Sequence, residues 1–180
     1  MLPSRQLIKR ELDAGKLGEP GLIRIHHWDA RGEADAGHEL PSALLQQVDV
    51  ILWLMGKSPT LVYAVEHGTN PGKQGRYLQV HLGFPGDAMA LLVYSSLHPH
   101  GDPYRSLHVI GSAGAAYADD QQNMQLLYKG GQPRGVMAQE VAMSKPTHEA
   151  VPQDWDNVLA VADAVNRSLK SRQAVSLEGR

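Results

Sequence analysis

The sequence predicts an α+β domain, a large and mostly antiparallel open sheet with helices packed on one face. Two observations carry this. Apolar residues recur at helical spacing in only three stretches, about 4–14, 41–55 and 152–172. Between the second and third, alternating runs bounded by turn residues follow one another without a helical crossover, as antiparallel strands do.

The elements follow in order. In residues 4–14 Leu7, Ile8 and Leu12 share a face, Ser4 is placed to cap the first turn, and Gly15 suits a left-handed stop. A turn at 17–20 leads into a strand over 21–28, and the polar stretch 29–39 reads as a loop. Leu44, Val48, Ile51, Leu52 and Met55 make the stripe of the second helix; Pro41 fits its first turn and Gly56 ends it. Strands are then expected at about 60–67, 76–84, 88–97, 104–110, 115–119 and 123–128. Phe84-Pro85-Gly86-Asp87 is the clearest tight turn, so its flanking strands should pair as a hairpin. The mixed segment 130–146 has no assignment. The last helix carries Trp155, Val158, Leu159, Ala162, Val165 and Leu169 as its stripe. Residues 1–180 are read as a single domain.

Composition narrows the function classes. An apolar fraction of 42% beside 20% charged residues is that of a globular chain, and a net charge of -2 offers nothing to nucleic acid or an anionic membrane. Zero cysteines exclude disulfides, a thiolate nucleophile and cysteine-ligated zinc, which fits a cytoplasmic location. The longest apolar run, 48–55, is too short to span a bilayer, and the first residues lack the apolar stretch of a signal peptide. Asn166-Arg167-Ser168 matches a glycosylation sequon inside a helical pattern and is treated as chance.

The two faces of the sheet differ in chemistry. Leu78, Val80, Leu82 and Phe84 alternate with Tyr77, Gln79 and His81, and Leu107 and Val109 alternate with Tyr104, Ser106 and His108. The apolar set is a floor for helices. The polar, aromatic set suits either solvent or a partner, and a homo-oligomer formed through it is the expectation.

Four segments stand out: Asp13-Ala14-Gly15-Lys16-Leu17-Gly18-Glu19-Pro20, Gln47-Val48-Asp49-Val50-Ile51-Leu52-Trp53-Leu54-Met55-Gly56, Leu107-His108-Val109-Ile110-Gly111-Ser112-Ala113-Gly114-Ala115, and the end from Ser168 to Leu177. In that order they resemble the opening turn, the helix, the strand and turn, and the closing strand of the C-terminal domain of the Gfo/Idh/MocA oxidoreductases. They come in family order and span nearly the whole chain. The resemblance implies a substrate-binding and oligomerisation domain of an NAD(P)-dependent sugar or polyol oxidoreductase. In the family the cofactor sits on a preceding Rossmann domain that carries a lysine in a Glu-Lys-Pro motif, and neither is found in this sequence. The glycine cluster Gly111-Ser112-Ala113-Gly114 is read as a hairpin turn, since a phosphate loop must open a helix. No cofactor is therefore expected on this chain alone, NAD or NADP requiring a separate Rossmann partner.

The resemblance also implies a site. The family's Asp-x-x-x-His pair falls, counting back from Asp49, on Ser42 and Gln46. Glutamine does not ionise and serine without a base is inert, so no catalytic residue is assigned and the chain alone is expected to be inactive. Ser42, Gln46, Asp49 and Trp53 still recur on one side of a helix, which leaves two readings: hydrogen bonds to a polyol, or a helix cap and backbone partners. A slip of one residue would bring in Gln47. His26, His27 and Trp28 either line a sugar pocket or are structural; Ser42, Gln46, Asp49, His26 and Trp28 are the substrate-binding candidates. His98, His100 and Asp102 have metal-ligand chemistry, but Pro99 and Gly101 favour a loop, and no metal is assigned. Two other readings stay open: a non-enzymatic, oligomeric module for a sugar-like ligand, and one half of an enzyme completed in trans by a Rossmann subunit.

Overall fold

The computed structural model describes residues 3–30, 40–67, 75–98, 104–119, 124–129, 132–137 and 155–177. Its elements run α1 (Pro3–Asp13), β1 (Pro20–Ala30), α2 (Ser42–Met55), β2 (Leu61–His67), β3 (Tyr77–Gly83), β4 (Met89–His98), β5 (Tyr104–Gly111), β6 (Gly114–Asp119), β7 (Met124–Lys129), β8 (Gln132–Met137), α3 (Trp155–Ser171) and β9 (Val175–Ser176). The described strands form one nine-stranded sheet in the order β8-β7-β6-β5-β1-β4-β3-β2-β9. Every neighbouring pair is antiparallel except β1 and β4, which run parallel. The α+β class and the open, mainly antiparallel sheet are thus as the sequence predicts.

The three helices lie on one face, α1 against β6, α2 against β1 and β4, and α3 against β2. Strand alternation makes this possible. In β3, Leu78, Val80 and Leu82 are buried while Tyr77, Gln79 and His81 are exposed, the parity read from the sequence. Ile23 and Ile25 of β1, Leu92 of β4 and Val109 of β5 add to the same floor, and Ile8, Leu44, Val48 and Ile51 close it from the helix side. Burying one such side chain stabilises the fold by roughly 1.5–3 kcal/mol.

Helix ends explain two differences from expectation. α1 begins at Pro3, so Ser4 is buried inside the first turn and does not precede it as a cap. Pro41 occupies the cap position of α2 with no side-chain hydrogen bond, and Ser42 is the first helical residue, so Ser42 is not the cap either. Gly15 and Gly56 do stop their helices in the left-handed region, at φ 69° and 65°. Phe84 donates its N–H to the Ala88 carbonyl at 2.8 Å and closes the expected hairpin. β8 falls within the segment left unassigned, and Asp29, expected in a loop, is the buried penultimate residue of β1. Residues 31–39 of that expected loop lie outside the described residues.

Two contacts tie distant motifs together. Ser112 and Ala113 donate N–H bonds to the carbonyls of Glu19 and Leu17, and Glu19 N–H donates to Ser112 Oγ. The approach is so close that a Cβ on Gly111 would lie 2.1 Å from the Leu17 oxygen. At the other end Ser168, fully buried in α3, accepts from Ala64 N–H at 2.9 Å and donates to the Gln173 carbonyl at 2.7 Å. β9 is thereby held against β2, where Leu177 N–H reaches the Thr60 carbonyl.

Ser168→Ala leaves the buried Ala64 N–H without its acceptor and frees the Gln173 carbonyl that ties the chain after α3. It should destabilise the chain by roughly 1–3 kcal/mol, seen as a lower urea midpoint with an unchanged slope.

Candidate functional site

β1 is the fifth of the nine strands, and adjacent residues on it serve opposite faces. Ile23, Ile25, His27 and Asp29 point toward the helices. Leu22, Arg24, His26 and Trp28 point to the open face. The sequence-predicted candidates are therefore divided. His26 and Trp28 sit together on the open face, ring centroids 5.5 Å apart. Ser42, Gln46 and Asp49 lie on α2, across the sheet from them.

On α2 the stripe is graded. Ser42 and Gln46 are exposed, Asp49 is buried, and Trp53 is half-buried beneath the Lys9 ammonium of α1, 5.8 Å from its ring. Gln47 is 3% exposed and its Oε1 accepts from Arg5 Nη2 at 2.8 Å. Gln46 is the glutamine a ligand can reach.

A polar cluster not foreseen in the sequence lies under the same helices. His27 Nε2 donates to Asp29 Oδ2 at 2.9 Å, and Arg105 of β5 donates to Asp29 Oδ1 at 2.7 Å. The His27 ring packs beside Tyr94 at 5.9 Å. Its Nδ1, which must carry the lone pair, is buried and meets no hydrogen-bonding partner among the described residues. Burial pushes this imidazole below its ordinary value; Asp29 partly offsets that, and Arg105 and Arg5 reinforce it. The geometry is that of a carboxylate-oriented histidine, but its basic nitrogen is sealed in the core. Continuing the strand's alternation past residue 28 is the signal that would have placed Asp29 beside His27.

The open face carries a second network. The Arg24 guanidinium can only donate, so at 3.1 Å it fixes His26 Nε2 as an acceptor, and His26 Nδ1–H donates to Ser106 Oγ at 3.0 Å. His108, Tyr117, Trp28 and Tyr104 surround it in tilted and edge-on ring contacts of 5.1–6.3 Å. Cross-strand register lines up Tyr117, His108, Arg24, Leu91, His81 and Tyr63 in one row and Asp119, Ser106, His26, Val93, Gln79 and Val65 in the next. Tyr77, Gln79, His81, Ser106 and His108 thus share one face, as the alternation predicts.

No group of metal-ligating side chains occurs among the described residues. His100 and Asp102 and the His98 side chain lie outside them. Gly111 and Gly114 flank a two-residue hairpin turn between β5 and β6, and no described glycine-rich turn opens a helix, so these residues do not fit a dinucleotide cradle. A separate open groove of about 1040 Å³, lined by Pro59, Pro85, Asp156, Leu159, Arg167 and Leu177, adjoins the C-terminal end of α2. The helix rise puts it about 20 Å from Ser42. No described helix is long and apolar enough to cross a membrane.

The family model for the GFO/IDH/MocA C-terminal domain matches residues 6–117. No curated protein matches the chain. Among solved structures it is similar to a levoglucosan dehydrogenase in complex with NADH and levoglucosan, at 14% identity and TM-score 0.76, covering 99% of this chain and 64% of that one. A probable dehydrogenase from Thermotoga maritima aligns at 19% identity and TM-score 0.72, covering 97% and 62%. The UDP-N-acetylglucosamine 3-dehydrogenase of Acidithiobacillus ferrooxidans aligns at 18% and 0.72, covering 95% and 59%. The chain spans less than two thirds of the length of each.

Because His27 is held neutral when folded, the unfolded chain binds protons that the native one refuses. Stability should be complete above the ordinary histidine range and fall as pH drops through and below it. His27→Gln should flatten that fall, measured as urea midpoints at about pH 7.5 and about pH 5.5. An unchanged pH response would remove His27 from the explanation.

Proposed function

The chain belongs to the GFO/IDH/MocA C-terminal domain family, and from that premise we propose that it is the substrate-side and assembly domain of an NAD(P)-dependent sugar or polyol oxidoreductase. The observation that carries the reading is the pair Ser42 and Gln46, exposed at adjacent turns of α2 where the family resemblance puts a proton-transferring Asp and His. Both are polar and reachable; neither titrates. They can hold a polyol hydroxyl by hydrogen bonds, the Gln46 amide donating and accepting, but they cannot take its proton. Sugar-type substrates are supported by the levoglucosan and UDP-N-acetylglucosamine dehydrogenases that share the fold. The nicotinamide then belongs to a Rossmann domain, whether in the same polypeptide or a separate one. Arg24, His26 and Trp28 face away from α2 and are assigned to assembly, not to substrate.

The second part of the proposal is self-association through the open face. Five of the seven exposed large hydrophobic residues lie on it, Leu61, Val65, Tyr77, Met89 and Ile110, in the described part of the chain. From β2 to β6 the face is about 24 Å wide, and a seven-residue strand is about 23 Å long. That is roughly 550 Å² in flat projection, which side-chain relief raises toward the ~800 Å² per partner of a stable interface.

Calorimetric titration of the purified chain with NAD and NADP should show no micromolar binding; such binding would refute the assignment of the cofactor elsewhere. With a Rossmann partner supplied, Ser42→Asp with Gln46→His should raise turnover of a polyol by about 10²–10⁴-fold, and without one it should give none. No gain in the partner's presence would mean that α2 does not face the reacting carbon. Sedimentation at tens of micromolar and about pH 8 should give a dimer or larger species, which Met89→Lys disrupts. A monomer at that concentration would refute the assembly role.

A further inference from the structure

We propose that the open face is a pH-gated self-association surface, in which His26 and His108 beside Arg24 let two copies dock while both rings are neutral and separate them on acidification. This rests on the assembly role proposed above. It concerns the regulation of that contact.

Position comes first. β1 is the middle strand, and His26 lies midway along it, so this residue is at the geometric centre of the face. A two-fold contact through the middle of the sheet sets the centre of one copy against the centre of the other. Water is excluded most completely there. Nature has placed at that point a ring that is already 9% exposed in the single chain and bound on both nitrogens.

Chemistry follows from the Arg24 bond. It exists only while His26 Nε2 has a lone pair. Protonation converts that acceptor into a donor, and a guanidinium and an imidazolium then face each other across a former 3.1 Å hydrogen bond. His108, 6.3 Å away ring to ring, becomes a third cation in the same cluster.

The surroundings do little to compensate. From β5, Ser106 and Tyr104 face His26; from β6, Tyr117 lies beyond His108 and Asp119 beyond Ser106, and Asp119 is the single carboxylate of the cluster among the described residues. Leu91, Val93 and Ser95 of β4 bring no charge. His81 of β3 with Tyr63 of β2, and His67 of β2 opposite Tyr77, stand two and three strands away from β1. Burial and Arg24 already hold both imidazoles below their ordinary value, with Asp119 opposing this at His108. Docking a second copy deepens the burial and doubles the positive set. Association therefore releases protons, and acid favours the separated chains.

Sedimentation equilibrium across about pH 8 to 5.5, with near-ultraviolet circular dichroism confirming that the chain stays folded, tests this. The dimer Kd should rise at least about tenfold between about pH 7.5 and 5.5. His26→Gln with His108→Gln keeps an amide that can accept from Arg24 and donate to Ser106 without titrating, and should reduce the change to less than about threefold. Arg24→Gln, at an exposed position that folding tolerates, should also shrink the response. A monomer at every pH overturns the assembly role itself. A dimer whose Kd ignores pH overturns the gate and leaves the assembly role standing. A pH response unaltered in both variants overturns its assignment to this cluster.

Discussion

Strand β1 is paired on both sides, parallel to β4 and antiparallel to β5, and everything else in the domain is arranged around that double pairing. A strand with both edges satisfied cannot slip by one residue without turning Ile23 and Ile25 out of the core and Arg24 and His26 into it. The same constraint separates two adjacent histidines by the thickness of the sheet. His26 is given to the open face with an arginine and a serine. His27 is given to the helix layer with a carboxylate. One backbone step decides which histidine joins the open face and which joins the helix layer.

The frame that holds β1 is made by contacts distant in sequence. The turn after α1 is locked to the β5–β6 hairpin through Leu17, Glu19, Ser112 and Ala113, and the lock needs glycine at 111 because a side chain there would strike the Leu17 carbonyl. Ser168 does the equivalent for the far edge by satisfying one N–H and one carbonyl from two different elements. These are the places where the family motifs fall, and the structure gives each a mechanical reason: the opening turn and the strand-turn motif are two halves of one contact.

Much of this was legible in the sequence. Helical periodicity located α1, α2 and α3, and alternation located β2 to β7 and, in β3 and β5, the side of the sheet that each residue serves. Neighbour relations were not legible. Nothing local in β1 or β4 announces that they pair in parallel after α2 and a hairpin have intervened, because that pairing is set by the helix packing over both strands. β8 escaped because Pro133, Arg134 and Gly135 break its alternation, and partnership with β7 supplies what its own pattern lacks. Ser4, expected as a cap, and Ser42, for which a cap was one of two readings, fall inside their helices for a related reason. Each follows a proline whose fixed φ starts the helix one residue sooner.

The candidate site was legible as chemistry and ambiguous as geometry. Gln46 and Gln47 are identical in type, and the family resemblance alone allowed either to stand at the proton-transfer position. Burial separates them. Gln47 spends its carbonyl on Arg5 and is enclosed by α1, so it belongs to the same buried layer as His27 and Asp29. His27, Asp29 and Gln47 are closed off on the helix side of the sheet, while Arg105 keeps part of its side chain in solvent. Gln46, one residue earlier, is turned by about 100° and is open. The exposed pair Ser42 and Gln46 therefore lies apart from the described histidines of β1 and β5, His27 inside the core and His26 and His108 on the opposite face. The reachable polar pair of α2 and the histidine pair of the open face are thus separated by the full thickness of the sheet.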